Sequence, residues 1–403
     1  MKFNYQLKRL CGAYYGHPSS TTHGTVGSQF SGANVIYDSS GDTVISAVAN
    51  RVQVINLKSH SVRTLPVEAR SNIRCIALSP DDALLLIVDV ENYAMIVNWH
   101  RGVVLTRLKF QKRVRQAAFS PNGYFLAVTF GKHIQVWTTP NFSERREMCP
   151  MSLHRTYTGQ SSDVTCLTWS PDSSVLMAGS KDCTARIWTL NTTHGYEPVT
   201  LSGHKTPIVG AYFSLSSCYD KIDSCITVSE DGVLVTWKCH YKDGAFDSAL
   251  ATASSQSAAI SHEEMEHAVE EAVDFFTGGA ITGDAARAGK RRKSNEKEDW
   301  VRQAHHLVHG TWKIDGRHYF KQERARVTST SYSSKNQLLA VGFSSGIFGL
   351  YELPSVANIH TLSVGSNQLV KTCSLNGSGD WLALGCPSSQ QLLVWEWRSE
   401  TCR

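Results

Sequence analysis

A short apolar strand running into a Ser-Pro turn returns along this chain. Ile73–Asp81 reads IRCIALSPD, Val114–Gly123 reads VRQAAFSPNG and Asp163–Asp172 reads DVTCLTWSPD. After each turn comes a second apolar strand, a small polar turn, and a third strand that often closes on Trp. Pro presets its own φ, and Asp or Asn caps the turn through its side chain, so each Ser-Pro step folds the chain back on itself. The unit recurs every 40–50 residues or so, roughly the length of one four-stranded propeller blade. That period fixes the architecture and points away from catalysis, because rings built this way act mostly as rigid platforms for other macromolecules.

Seven units can be laid out. Their inner strands are expected at Asn34–Tyr37, Arg74–Leu78, Arg115–Phe119, Thr165–Trp169, Ile208–Phe213, Val327–Tyr332 and Val370–Leu375, and the last unit ends at Gln391–Trp397. The reading is an all-β, seven-bladed WD40 β-propeller spanning 1–403 as one domain. Early units carry a fourth, outer strand, as in Val62–Val67 and Val103–Phe110. The seventh lacks one after Trp397, and an uncovered edge is a liability. The N-terminal stretch 1–15 is expected to supply it. Phe3–Leu10 alternates apolar and polar residues and should pair against Gln391–Trp397.

The fifth unit has the fullest polar set of the WD type: His204 before the inner strand, Thr227 in the second strand, Asp231 in the following turn and Trp237 at the end of the third. Such a set is expected to form a buried hydrogen-bond network, in which an unpaired member costs about 1–3 kcal/mol. His204 and Asp231 are therefore read as structural and not as a catalytic pair. The fourth unit keeps Asp182 and Trp188 but has Gln160 and Ala178 where His and Ser would stand, so its network should be incomplete.

Residues 240–326 are read as an insertion between blades 5 and 6, largely flexible. Within it, Ser261 and Glu264 make a capping-box pattern. The segment near 261–276 places Met265, Ala268, Val269, Ala272, Val273 and Phe276 on one helical stripe opposite an acidic face. Lys290, Arg291, Arg292 and Lys293 follow as a cationic cluster, suited to nuclear import or phosphate contact. Lys112, Arg113 and Arg115, which flank the start of the third blade, are further candidates for contact with RNA phosphates. Trp312, Tyr319 and Phe320 are expected to begin the outer packing of blade 6.

Other chemistry is poorly supported. Gly289-Lys290 lacks the Gly and Ser/Thr of a phosphate-binding loop, and no Gly-x-Ser-x-Gly is present. His305, His306 and His309 cluster without the spacing of a zinc site. No catalytic residue, cofactor or metal is assigned, and no small-molecule substrate is expected. The eleven Cys include no Cys-x-x-Cys, and several lie in strand-like runs, which reads as buried reduced thiols. No run approaches the roughly 18 apolar residues of a membrane span. The compartment is therefore cytosol or nucleus. A net charge of +5 permits a nucleic-acid neighbour without requiring one.

Particular strings carry a resemblance. Val341–Pro354 reads VGFSSGIFGLYELP, Ser378–Cys386 reads SGDWLALGC, Leu392–Trp397 reads LLVWEW, Ala49–Ser59 reads ANRVQVINLKS and Ser229–Cys239 reads SEDGVLVTWKC. With Gly203-His204-Lys205 and the opening Met1–Phe3, they resemble the periodic tryptophan protein 2 family. Its members are nucleolar WD-repeat subunits of the UTP-B complex of the small-subunit processome. The resemblance covers nearly the whole chain outside Ser248–Lys297. It implies a first propeller, with the second propeller and C-terminal helical region of such proteins beyond this sequence. It also implies a non-catalytic scaffold in the nucleus and nucleolus, serving 18S pre-rRNA processing and 40S maturation. Partners would be other UTP-B subunits, processome proteins, pre-rRNA and the U3 small nucleolar ribonucleoprotein, the RNA touched directly or indirectly. The competing reading is a WD40 substrate-recruiting adaptor of a ubiquitin ligase or chromatin complex, which a deep Arg-lined pocket on one face would favour.

Overall fold

The computed structural model describes the backbone of residues 10–13, 16–18 and 30–32 and the chain over 34–140, 151–190, 197–215, 222–240, 310–320, 325–365 and 368–397, the side chains of 215 and 223 excepted. Regular structure among these residues is entirely β, so no helix there is long and apolar enough to cross a membrane. The strands form seven four-stranded antiparallel sheets, one per blade, and one small hairpin, Gly16–Pro18 with Phe30–Gly32.

From inner to outer strand, blade 1 is Ile36–Tyr37, Thr43–Val48, Arg51–Asn56 and Val62–Glu68. Blade 2 is Ile73–Leu78, Leu84–Asp89, Tyr93–Asn98 and Val103–Lys109. Blade 3 is Ala117–Phe119, Phe125–Phe130, His133–Thr138 and Leu153–Tyr157. Blade 4 is Val164–Trp169, Val175–Ser180, Thr184–Thr189 and Val199–Ser202. Blade 5 is Ile208–Leu215, Ile222–Ser229, Val233–His240 and Thr311–Tyr319. Blade 6 is Val327–Ser333, Leu338–Phe343, Ile347–Glu352 and Ala357–Ser363. Blade 7 is Thr372–Leu375, Trp381–Cys386, Gln391–Glu396 and, from the other end of the chain, Leu10–Ala13.

Middle strands are largely apolar because both of their faces are covered. Leu84–Asp89 is buried at every residue. Its side chains alternate with the strand period of two: Leu85 and Ile87 pack toward blade 1, and Leu84, Leu86 and Val88 toward blade 3. The buried apolar residues fall into seven clusters, each shared by two consecutive blades. The cluster that closes the ring joins Val44, Ile55 and Leu57 of blade 1 to Ala383, Leu392 and Val394 of blade 7. Outer strands face water on one side, and Val103–Lys109 is exposed at every second residue.

The Ser of each Ser-Pro turn has a defined task. Its hydroxyl accepts the N–H of the residue that starts the second strand: Leu84 on Ser79 at 2.9 Å, Phe125 on Ser120 at 3.0 Å and Val175 on Ser170 at 2.9 Å. Three residues past the Ser the backbone turns left-handed, at Asp82, Gly123 and Ser173, which favours Gly or a short polar residue. These turns also stitch neighbouring blades. The amide of Asn122 donates to Ser173 Oγ at 3.0 Å, Ser39 bonds Asp82, and Asn336 donates to the Ser378 carbonyl.

Antiparallel pairing sorts the connections onto two faces. The starts of inner strands and the turns between second and third strands share one face, termed upper. The Ser-Pro turns and the links from third to fourth strand share the lower face.

Leu10–Ala13 closes blade 7, with Leu10, Gly12 and Ala13 opposite Leu393, Leu392 and Gln391. These residues fall within the stretch 1–15; of Phe3–Leu10 only Leu10 lies in this pairing, and residues 3–9 are outside the described residues. One boundary needs correction. Thr311–Tyr319, assigned above to the insertion, pairs along its length with Val233–His240 and is the outer strand of blade 5. The intervening stretch therefore joins the third and fourth strands of blade 5 from the lower face, and does not separate blade 5 from blade 6. The expected helix near 261–276 and the His305, His306 and His309 cluster lie outside the described residues. Trp312 packs on the core between blades 4 and 5, Tyr319 is exposed, and only Phe320 enters the core toward blade 6.

Candidate functional site

Three of the residues singled out in blade 5, His204, Thr227 and Trp237, meet beneath the upper face. Thr227, fully buried in the second strand, accepts Trp237 Nε1–H at 2.9 Å and lies 2.7 Å from His204 Nε2. Strand register brings this about, since Thr227 stands opposite Val235 and Trp237 two residues on. Asp231 takes a different place from the one expected. Its carboxylate accepts the Ser229 hydroxyl and its N–H donates to Thr206 Oγ1 at 3.3 Å, which fastens the turn to the preceding loop. Asp231 acts on His204 only as a nearby charge. Burial, set against the raising effect of Asp231, lowers the His204 pKa to about 4, so the ring is neutral at physiological pH. His204 Nδ1 is buried with no hydrogen-bond partner among the described residues.

Blade 4 replaces this network with a turn clamp. The Asp182 carboxylate accepts Thr184 Oγ1–H at 2.6 Å and the N–H groups of Ser161 and Thr184, each at 3.0 Å. Burial works to raise the Asp182 pKa, but these bonds outweigh it and hold the group below its ordinary value. Gln160 donates to the Ala178 carbonyl at 3.4 Å, while its Oε1 has no partner among the described residues. Trp188 is buried against Tyr157, centroids 6.0 Å apart.

A second feature lies nearer the axis. In blades 2, 4, 5 and 6 the ladder slips by one at the second residue of the inner strand, leaving Arg74, Thr165, Val209 and Thr328 out of register. Arg115 and Lys371 hold the corresponding place in blades 3 and 7, one residue after the fully buried Val114 and Val370. Blades 4 and 6 use the position to bridge to the next blade. Thr165 Oγ1 donates to the Ile208 carbonyl at 2.5 Å and Thr328 Oγ1 to Val370 at 2.5 Å. Blades 7, 2 and 3 use it to carry a cation.

These cations act on one another. Burial first, then the charges of Arg113 and Arg115, hold the Arg74 pKa down to about 10. Burial and Arg113 lower Arg115 against the opposing pull of Asp163. Burial, Arg115 and Arg113 lower Lys371, with Glu230 opposing. Lys371 and Arg115 belong to blades 7 and 3, and both stand at the start of inner strands, which follow one another round the central channel.

Of the cations expected to meet phosphate, Arg113 and Arg115 belong to this cluster. Lys112 instead lies over the Phe130 ring, Nζ 5.3 Å from its centroid. Lys290, Arg291, Arg292 and Lys293 lie outside the described residues. Arg74 and Lys371 were missed by the sequence reading. The available signal was a cation directly after the apolar residue that opens an inner strand, as in Ile73-Arg74, Val114-Arg115 and Val370-Lys371. Among the described residues no three His, Cys, Asp or Glu converge as metal ligands. Cys75, Cys166, Cys225, Cys373 and Cys386 are free, and burial raises the thiol pKa of each.

A closed ring of seven such blades defines a WD-repeat propeller, and the WD domain, G-beta repeat model matches residues 151–189. That stretch is the outer strand of blade 3 plus three strands of blade 4, so one sequence repeat straddles two blades. The β-propeller domain of Cps50 (Swd1) from Myceliophteria thermophila shares the fold, with a TM-score of 0.60 at 12% identity over 90% of this chain and 95% of that one.

Relatives in sequence are more specific. A periodic tryptophan protein 2 homolog of Schizosaccharomyces pombe is 37% identical over 93% of this chain and 38% of its own length. Periodic tryptophan protein 2 of Arabidopsis thaliana is 34% identical over 93% of this chain and 41% of its own. Over the region they share, the chain belongs to the periodic tryptophan protein 2 family. It spans about two fifths of the length of these relatives.

Proposed function

We propose that this chain serves as a non-catalytic scaffold in ribosome biogenesis, as part of a UTP-B component of the small-subunit processome needed for 18S pre-rRNA processing and 40S maturation. The observation that carries the reading is the family relationship, which runs through all seven blades. The fold is consistent with it. Seven interlocked cores make a stiff ring that offers surfaces without moving parts, and WD40 propellers typically serve protein–protein interaction. On this reading the protein works in the nucleus and nucleolus. Its partners are other UTP-B subunits and processome proteins first, and pre-rRNA and the U3 small nucleolar ribonucleoprotein second. Lys290–Lys293 remain the proposed nuclear-import or RNA contact.

The arginines at the channel mouth favour the second reading, a substrate-recruiting adaptor. Family membership outweighs them, because charged rims occur on propellers of many functions. Depleting the protein in its own cells is expected to lower 18S rRNA relative to large-subunit rRNA, with uncleaved 18S precursors accumulating. An unchanged ratio contradicts the proposal.

A further inference from the structure

We propose that the cationic crescent of Arg74, Arg113, Arg115 and Lys371 is a docking site for an extended, Asp- and Glu-rich segment of a partner protein, whose carboxylates enter the mouth of the central channel. The proposal goes beyond the scaffold reading and stands or falls on the purified chain alone.

The site has unmet hydrogen-bonding capacity. A guanidinium offers five N–H donors. Arg74 uses one on Asn92 Oδ1 at 3.2 Å, while its Nε is buried with no partner among the described residues. Arg115 is held by Asp163 at 3.3 Å, an acid that also lies 3.8 Å from Lys181 Nζ. That pairing fixes the direction of Arg115 without neutralising the cluster. Neither Arg113 nor Lys371 has a side-chain hydrogen bond or ion pair among the described residues. Like charges held together and partly withdrawn from water are unfavourable alone, and an entering anion relieves both desolvation and repulsion.

The class of anion follows from the surroundings. Asp89, Asp163 and Glu230 act on the same cations, as the charges that oppose lowering of Arg74, Arg115 and Lys371. A continuous phosphate backbone crossing this face would meet those acids as well as the cations. A carboxylate carried on an extended peptide can reach inward to the cations and leave the acids at its flanks. Four cations, one of them already paired, also release few counterions to a nucleic acid, which makes sequence-independent RNA binding weak and salt-sensitive.

The test is fluorescence anisotropy on the purified full chain, with a labelled peptide of alternating Glu and Asp, at low and at physiological ionic strength. A single-stranded oligouridine of matched charge serves as the second probe. Wild type is expected to bind the peptide more tightly than the RNA. The Arg74→Gln/Arg115→Gln/Lys371→Gln variant should bind the peptide about tenfold more weakly or worse, while a Lys58→Ala/Lys335→Ala variant on the lower face should bind as wild type. Should the triple variant not fold, Lys371→Gln alone carries the test with an expected severalfold loss. Absent peptide binding, equal loss in the lower-face variant, or preference for RNA that the crescent substitutions abolish would each overturn the proposal, the last in favour of nucleic acid.

Discussion

Trp395→Ala is expected to lower the unfolding free energy by about 3–5 kcal/mol, the usual range for deleting a buried large aromatic. The residue sits in the third strand of blade 7, opposite Leu382, and is nearly fully buried between blades 6 and 7. Its ring stands edge-on to Phe348, with centroids 5.5 Å apart and planes at 74°, and lies 6.2 Å from His360. The neighbouring strands cannot easily move in to fill the void, because each is held in its blade's ladder and by the closure of the ring. The strand that carries Trp395 is also the one that pairs with Leu10–Ala13, where the two ends of the fold meet. Equilibrium unfolding in denaturant checks the prediction, and an unchanged midpoint would refute the packing described.

Thr227→Val should cost about 2–4 kcal/mol although it preserves shape. The substitution leaves Trp237 Nε1–H and His204 Nε2 facing a methyl group, and a buried polar group left without its partner costs about 1–3 kcal/mol. Thr227→Ser keeps the hydroxyl and should cost about 1 kcal/mol, mostly the lost methyl. Equal losses in the two variants would mean that the hydroxyl carries no weight. The same network has a pH signature. Unfolded, the imidazole titrates near its ordinary value of about 6.5, while in the fold burial holds it at about 4. Between those values the unfolded chain binds a proton that the folded chain refuses. Stability from this group is therefore complete above the unfolded pKa and is lost as pH falls toward the folded one. His204→Gln should flatten that limb of the stability curve while leaving the rest in place.

The parts of the fold that the sequence shows are those where chemistry is local. Ser79, Ser120 and Ser170 close their turns within five residues, so the motif carries its own explanation. The order of strands follows from seven repetitions of the strand–turn–strand unit, three of which close on this turn. Thr311–Tyr319 was not legible because an outer strand faces solvent and needs no apolar run. Reading TWKIDGRHY, with the register slipping at Asp315 beside Gly316, it looks like a loop until it is paired with Val233–His240. The WD residues of blade 5 were legible as a set, but the partners of Asp231 were not, since they depend on how the turn sits against Thr206. Arg74 and Lys371 were hidden for another reason. They are almost 300 residues apart in sequence, and only closing the ring sets the inner strand of blade 7 round the same channel as those of blades 2 and 3.

The insertion leaves from the lower face within blade 5, and the cationic mouth opens on the upper one. The measurement that tests the central claim most directly is purification of the tagged protein from nuclear extract at moderate and at high salt, with identification of the proteins and RNA that come with it. The account predicts recovery of WD-repeat processome partners together with pre-ribosomal RNA, the RNA falling away at high salt while the proteins stay. Recovery of a ubiquitin ligase or a chromatin complex without pre-rRNA would contradict it.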